Sequence, residues 1–161
     1  MIHDALYSSR SEEWPTPQTF FEALNAEFEF TLDPCATRDN AKCARYFTKS
    51  QDGLAQDWRA HRVFCNPPYG RSMREWARKC YQASQLGATV VLLAHARTDT
   101  RWFHDWVYGK ASEIRFVKGR LKFGDGRQSA PFPSLVAVYI PPVTARLPPP
   151  VTTGHVIPMP T

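Results

Sequence analysis

Apolar residues recur along this chain with two different periods, and each period predicts a different kind of element. Phe20, Phe21, Leu24 and Phe28 fall at helical spacing and predict a helix with one buried face. Thr16-Pro17 marks its start, a capping hydroxyl followed by proline at the first helical position. Met73, Trp76, Ala77, Cys80, Tyr81 and Ser84 fall at i, i+3, i+4, i+7, i+8 and i+11, an amphipathic helix of about four turns that Gly87 ends in the C-cap role. Trp102, Phe103, Trp106 and Val107 repeat the pattern, with Asp99 or Thr98 as the cap. Thr89-Val90-Val91-Leu92-Leu93-Ala94 is apolar without alternation, the mark of a central strand covered on both faces.

Shorter extended pieces are expected at Phe30-Thr31-Leu32, Tyr46-Phe47-Thr48, Arg62 to Cys65, Ile114 to Val117 and Leu135 to Ile140. A short helix is expected over residues 39 to 45 and a turn at Asp52-Gly53-Leu54. Strands alternating with helices imply crossovers, and therefore an α/β fold with a mostly parallel sheet flanked by helices. Ligands in such sheets gather at the carboxyl ends of the strands. Asp33 to Thr37, Asn66 to Tyr69 and the His95 region all follow predicted strands, so they are expected along one edge.

Periodicity disappears at both ends. Residues 1–12 are polar and read as a flexible segment, and residues 13–140 read as one domain. Seven of the 14 prolines lie in residues 141–161, a Pro-rich tail that suits neither helix nor ladder. The chain shows no internal repeat.

Composition narrows this picture. At 161 residues, with 43% hydrophobic and 13% aromatic content, one packed domain is expected. A formal charge of +5 suits a polyanionic partner. No apolar run approaches the ~20 residues of a membrane span, and the amino end carries no signal-peptide pattern, so a cytoplasmic location is expected. Cys35, Cys43, Cys65 and Cys80 form no CxxC pair and the five histidines are scattered, so free thiols and no metal are expected.

The most informative chemistry is Asn66-Pro67-Pro68-Tyr69, just after the apolar run Val63-Phe64-Cys65. The prolines fix their own φ and push the residues before them out of the helical region, which makes a stiff turn. Such a turn offers an amide oxygen, a free carbonyl and a ring to a planar group with an NH2 on its rim. In adenine the amino lone pair is delocalised into the ring. If the Asn66 oxygen and the Pro67 carbonyl accept its two hydrogens, the nitrogen is drawn toward tetrahedral geometry and its lone pair is freed for an electrophilic methyl group. A base inside a duplex must be flipped out to reach such a site, and Tyr69 would stack on it. Asp33-Pro34-Cys35-Ala36 is a strand-ending carboxylate beside a tight turn, suited to an amino or hydroxyl group of a small cofactor. The absence of GxGxxG argues against a nucleotide-phosphate site.

Lys110, Arg115, Lys118, Arg120, Lys122 and Arg127 face only Glu113 and Asp125 over eighteen residues, and Arg71 and Arg74 lie just past the stiff turn. Charges so placed would neutralise phosphates. His95, beside Asp99, is expected in a structural rather than a catalytic role. Trp58, Trp76, Trp102 and Trp106 are expected in the core.

In order, Trp14-x-Thr16-Pro17, Leu32-Asp33-Pro34-Cys35-Ala36, Asp52-Gly53-Leu54, Asn66-Pro67-Pro68-Tyr69, Ala96 to Phe103, Gly119-Arg120-Leu121-x-Phe123 and Phe132-Pro133-Ser134 resemble the phage-type DNA adenine-N6 methyltransferases, over residues 12 to 140. The resemblance implies a single Rossmann-like methyltransferase domain, S-adenosylmethionine as cofactor and double-stranded DNA as partner. It implies that Thr16 and Pro17 touch the methionine end of the cofactor. Asp33 would serve its amino group or neighbourhood and Asp52 its adenosine, by ribose or base, with Pro34, Ala36 and Asn66 as further cofactor contacts. Asn66, Pro67 and Tyr69 would be catalytic. Pro68, Tyr69 and Phe132 would hold the base, with Phe132 and Tyr69 as two walls around it. Arg71, Arg74, Lys118, Arg120 and Lys122 would hold DNA. Two departures stand out: Thr37 where related enzymes close their first motif with glycine, and a short stretch between Asp33 and Asn66. Rival readings are methylation of an RNA base or a protein glutamine, and a silent DNA-binding relative.

Overall fold

The computed structural model describes residues 13–143; the expected flexible segment at 1–12 and most of the Pro-rich tail lie outside that range. Helix α1 is Gln18–Phe28, α2 is Met73–Gln85 and α3 is Arg101–Trp106. Strands β1 (Arg62–Cys65), β2 (Thr89–His95), β3 (Glu113–Phe116) and β4 (Ser134–Tyr139) form one sheet in the order β1-β2-β4-β3. β1 pairs parallel with β2 through the α2 crossover, and Leu32 extends that parallel edge by a bridge to Val63.

The fold is mixed α/β, yet a mostly parallel sheet is not what forms. β4 pairs antiparallel with both β2 and β3, so one strand pair is parallel and two are antiparallel. The cause lies between β3 and β4. Residues 117–133 hold no helix, and without a crossover element the chain returns in the opposite direction. Apolar patterning is blind to strand direction; the mark that the sequence carries is the lack of a helical pattern between Val117 and Leu135.

Alternation along the strands divides the core. Val63, Cys65, Val90, Leu92, Ala94, Leu135 and Ala137 pack with Met73, Trp76, Ala77 and Cys80 of α2 and with Trp102 and Phe103 of α3. Phe64, Val91, Leu93, Val136 and Val138 face the other way, onto Phe21 and Leu24 of α1 and onto Phe123 and Ala130. Helices thus cover both faces of β2, which explains its unbroken apolar run. Trp58, Trp76 and Trp102 are buried as expected, and Trp106 is half-buried.

Three local expectations change. The start of α1 is not capped by the Thr16 hydroxyl. Pro17 is the capping residue, and its carbonyl accepts from Phe21 N at 3.1 Å. Residues 39 to 45 form turns rather than a helix, held by Asn40 Oδ1 on Thr37 N and by Asp33 Oδ2 on Lys42 N. Thr100, rather than Asp99 or Thr98, precedes α3. Gly87 follows α2 at φ 110°, a conformation that favours glycine.

Candidate active site at the carboxyl ends of the strands

The chain leaves Leu32, β1 and β2 at the same edge of the sheet, carrying Asp33, Asn66 and His95. β4 begins there too, because Ser134 is registered against His95, and this brings Phe132 to the same place. The antiparallel strand therefore delivers the second aromatic residue to the edge.

A cavity of about 850 Å³ opens there. Thr16, Asp33, Pro34, Ala36, Asp52, Asn66, Pro67 and Pro68 line it, as do Trp14, Cys35, Gly53 and Trp76. Pro17 does not line it; the neighbouring Pro15 does. Among the described residues, four buried side-chain polar atoms lack a partner, and Asn66 Oδ1, His95 Nδ1 and Ser134 Oγ are three of them. Buried polar groups are nearly always satisfied, and of these three residues Asn66 alone lines the cavity, so its oxygen is the orphan that a ligand there can reach.

Asn66 is the best determined of these. Its Nδ2 donates to the Trp14 carbonyl at 2.6 Å and to the Thr16 hydroxyl at 2.9 Å. Asp33, only 4% exposed, is by contrast well supplied. It accepts from Lys42 N at 3.0 Å and from Cys35 N at 3.4 Å. Burial still outweighs those donors and holds its carboxyl above the usual range. Asp33 thus shapes its own turn while lining the cavity. Asp52 is exposed at φ 52° and caps the short turn Gly53–Ala55 by accepting from Leu54 N at 3.2 Å.

That turn sits hard against the Asp33-Pro34 corner. A Cβ on Gly53 would lie 1.9 Å from the Pro34 carbonyl oxygen, so glycine is required by close approach. Trp58 Nε1 fastens the other side by donating to Gly53 O at 2.9 Å. By local sequence Asp52-Gly53-Leu54 read as a turn, and only the family resemblance assigned Asp52 to the cofactor; this long-range contact is what brings Asp52 and Gly53 into the cavity wall.

The aromatic walls differ from expectation. Tyr69 is buried, its hydroxyl donates to Leu93 O at 3.3 Å, and its ring stacks on His95 at 4.8 Å. Phe132 meets it edge-on, with centroids 5.5 Å apart and planes at 67°. A base sandwiched between two rings needs parallel planes about 7 Å apart, twice an aromatic stacking distance. The two rings instead pack against one another and against Phe123, with Trp14 edge-on to Phe132. Burial pushes the Tyr69 phenol well above its ordinary value, with Cys65 and Cys35 adding to the rise. His95 is held at about 4, by burial first and Arg97 second, so its ring is neutral at pH 7. The four cysteines are free thiols, and burial raises Cys35, takes Cys65 well up and leaves Cys43 at about 12. None of these three is a thiolate at neutral pH.

The basic constellation divides in two. Arg115 is spent on structure: it pairs with Glu27 at 2.7 Å and Glu113 at 2.8 Å and lies over the Phe28 ring. Arg127 pairs with Asp125 at 3.4 Å, and Arg74 with Asp105 at 3.9 Å. Arg71, Lys118, Arg120 and Lys122 are outside the cavity lining. The 118–126 loop is nevertheless tied to the cavity wall. Gly124 N donates to Pro15 O at 3.0 Å, and Phe123 packs edge-on against Trp14 at 5.7 Å. No group of three or more His, Cys, Asp or Glu placed to hold a metal ion occurs among the described residues, and no described helix is long and apolar enough to cross a membrane.

Fold and site together define an α/β protein of the class that receives a ligand where its strands end, here in front of a proline-framed asparagine. Comparison with known proteins gives that class a family. The family model described as DNA N-6-adenine-methyltransferase (Dam) matches residues 4–137, and the chain belongs to this family. A DNA N-6-adenine-methyltransferase of Haemophilus phage HP1 (strain HP1c1) is 32% identical over 111 residues, 68% of this chain and 64% of the relative. The YfdM protein of Escherichia coli (strain K12) is 40% identical over 65 residues, 36% of this chain and 71% of the relative. The chain's match thus spans a little under two thirds of the phage relative's length.

Proposed function

We propose that this chain transfers a methyl group from S-adenosylmethionine to the exocyclic N6 amine of an adenine flipped out of double-stranded DNA. Membership of the family supports this reading, and one observation carries it: Asn66 Oδ1 is a buried acceptor left without a donor. An unsatisfied buried acceptor costs about 1–3 kcal/mol, which a bound amine N–H relieves.

The residues present fit a sulfonium cofactor without phosphates. The cavity volume is within the range of cofactor sites. Asp33, Pro34, Ala36, Asp52 and Thr16 would hold the cofactor, and Pro17 would act only through its neighbours. S-adenosylmethionine, when bound, supplies a methyl group made electrophilic by its positive sulfur. Asn66 Oδ1 takes one amine hydrogen and the Pro67 carbonyl the other. Those two bonds would localise the nitrogen lone pair toward the methyl, which the cofactor would give up from its sulfur to the nitrogen, leaving a neutral thioether. The methylated nitrogen would carry one surplus proton, which would pass to solvent water. Pro68 lies along the base, and stacking by Tyr69 requires its ring to turn away from His95. Arg71, Lys118, Arg120 and Lys122 grip phosphates outside the cavity, with Arg74 freed from Asp105 as a further contact.

Asn66→Ala tests the reading. It removes the acceptor and should lower kcat by about 10²–10³-fold, the size expected for a transition-state hydrogen-bond partner. Calorimetric affinity for S-adenosylmethionine should stay within a few-fold of wild type. A variant that turns over at the wild-type rate would mean that the amine is activated elsewhere.

A further inference from the structure

We infer that Thr16 and the main chain of Trp14 form a clamp that fixes which end of the Asn66 carboxamide is offered to the ligand, making Thr16 a positioning residue for the reaction. An asparagine amide has two faces of opposite character: one end donates twice and the other accepts twice. Only the accepting end is useful toward an amine. Rotation by half a turn about the last side-chain bond would present NH2 to NH2 and abolish the interaction. Something must therefore choose.

The Trp14 carbonyl makes the choice. A main-chain carbonyl can only accept, so the atom 2.6 Å from it must be the NH2 group. The Thr16 hydroxyl takes the second Nδ2 hydrogen at 2.9 Å, and Thr16 is only 6% exposed, so water does not compete for the bond. Both Nδ2 hydrogens are thus committed, and Oδ1 is left over as the unpartnered atom. The clamp itself is anchored. The Trp14 indole packs edge-on against Phe123 at 5.7 Å and Phe132 at 5.1 Å, and Pro15 O accepts from Gly124 N at 3.0 Å. Fifty residues separate Thr16 from Asn66, so the pair is a product of the fold and not of local sequence.

The catalytic consequence rests on the methyl-transfer reading above, and the test separates the two. On the full chain, solution NMR follows exchange of the Asn66 side-chain NH2 protons with water. These protons should exchange slowly in the wild type and in Thr16→Ser, and at least tenfold faster in Thr16→Val, which keeps the shape and loses the hydroxyl. Equal exchange in all three, with the well-dispersed spectrum of a folded chain, overturns the clamp. In methyl-transfer assays at saturating S-adenosylmethionine, Thr16→Val should lower kcat by about tenfold, the size of one hydrogen bond, and leave KM for DNA within about twofold. Thr16→Ser should recover at least half of the wild-type kcat. In an Asn66→Ala background, Thr16→Val should have no further effect. An additive loss of kcat there, or a rise in KM for DNA with kcat unchanged, overturns the positioning role. A wild-type chain that transfers no methyl sinks the functional reading alone, and the clamp then stands or falls on the exchange rates. If Thr16→Val does not fold, Thr16→Ala carries the same comparison.

Discussion

Asp33 and Asn66 stand at neighbouring strand ends, and both turn polar groups away from water. Their treatment differs: the fold gives Asp33 two main-chain donors and leaves Asn66 Oδ1 with none. The first is a turn that holds itself together, and the second is an acceptor waiting for a donor. His95, the third residue of this edge, is kept neutral by its surroundings. Its pKa in the fold, about 4, lies below the ordinary 6.5, so the folded state disfavours the charged ring. The stability this contributes is complete above about pH 6.5 and is lost as pH falls toward 4. Melting temperature measured from pH 7 down to 4 should therefore drop more steeply for the wild type than for His95→Phe, which keeps the stack on Tyr69 without a titrating group. Parallel curves would contradict this. At this scale the sequence was partly legible. Two prolines announce Asn66 because they dictate backbone shape without outside help. Thr16 before Pro17 reads as a helix cap by the same local logic, and its true partner, Asn66, is supplied only by tertiary structure.

Elements succeeded or failed as predictions according to how local their causes are. α2 and β2 appear where periodicity placed them, because each buries a face defined by its own side chains. The helix expected over 39 to 45 gave way to turns, since Asp33 and Asn40 side chains bind main-chain N–H groups there and compete with a helical ladder. The direction of β4, and with it the route by which Phe132 reaches the site, shows in the sequence only as the missing helical pattern before Leu135. The contact between the Gly53 turn and the Pro34 corner is a third non-local feature, and it carries a prediction. Gly53→Ala forces a methyl group against a main-chain oxygen that has no room to yield. Overpacking of this kind costs about 1–3 kcal/mol. Because Pro34, Asp52 and Gly53 all line the cavity, calorimetry should show weaker S-adenosylmethionine binding together with the lower denaturation midpoint. An unchanged midpoint and affinity would show that the two turns do not press on one another.

Across the whole molecule, the sheet acts as a frame that brings four separate stretches of chain to one edge. Residues 14–16, 33–37 and 66–68 line a shared cavity, and Phe132 closes on Tyr69 beside it. The net charge of +5 is not evenly available, because Arg115 and Arg127 are paired within the fold. The 118–122 segment, with Lys118, Arg120 and Lys122, is fastened next to the cavity through Phe123 and Gly124, where the proposed reaction would use it for phosphates. The proposed reaction makes one demand: the methyl would arrive on an exocyclic amine held by Asn66. The direct measurement is to incubate the purified chain with methyl-labelled S-adenosylmethionine and unmethylated duplex DNA, digest the DNA to nucleosides and locate the label. The account predicts label in N6-methyldeoxyadenosine; label confined to a pyrimidine nucleoside or to protein would contradict it.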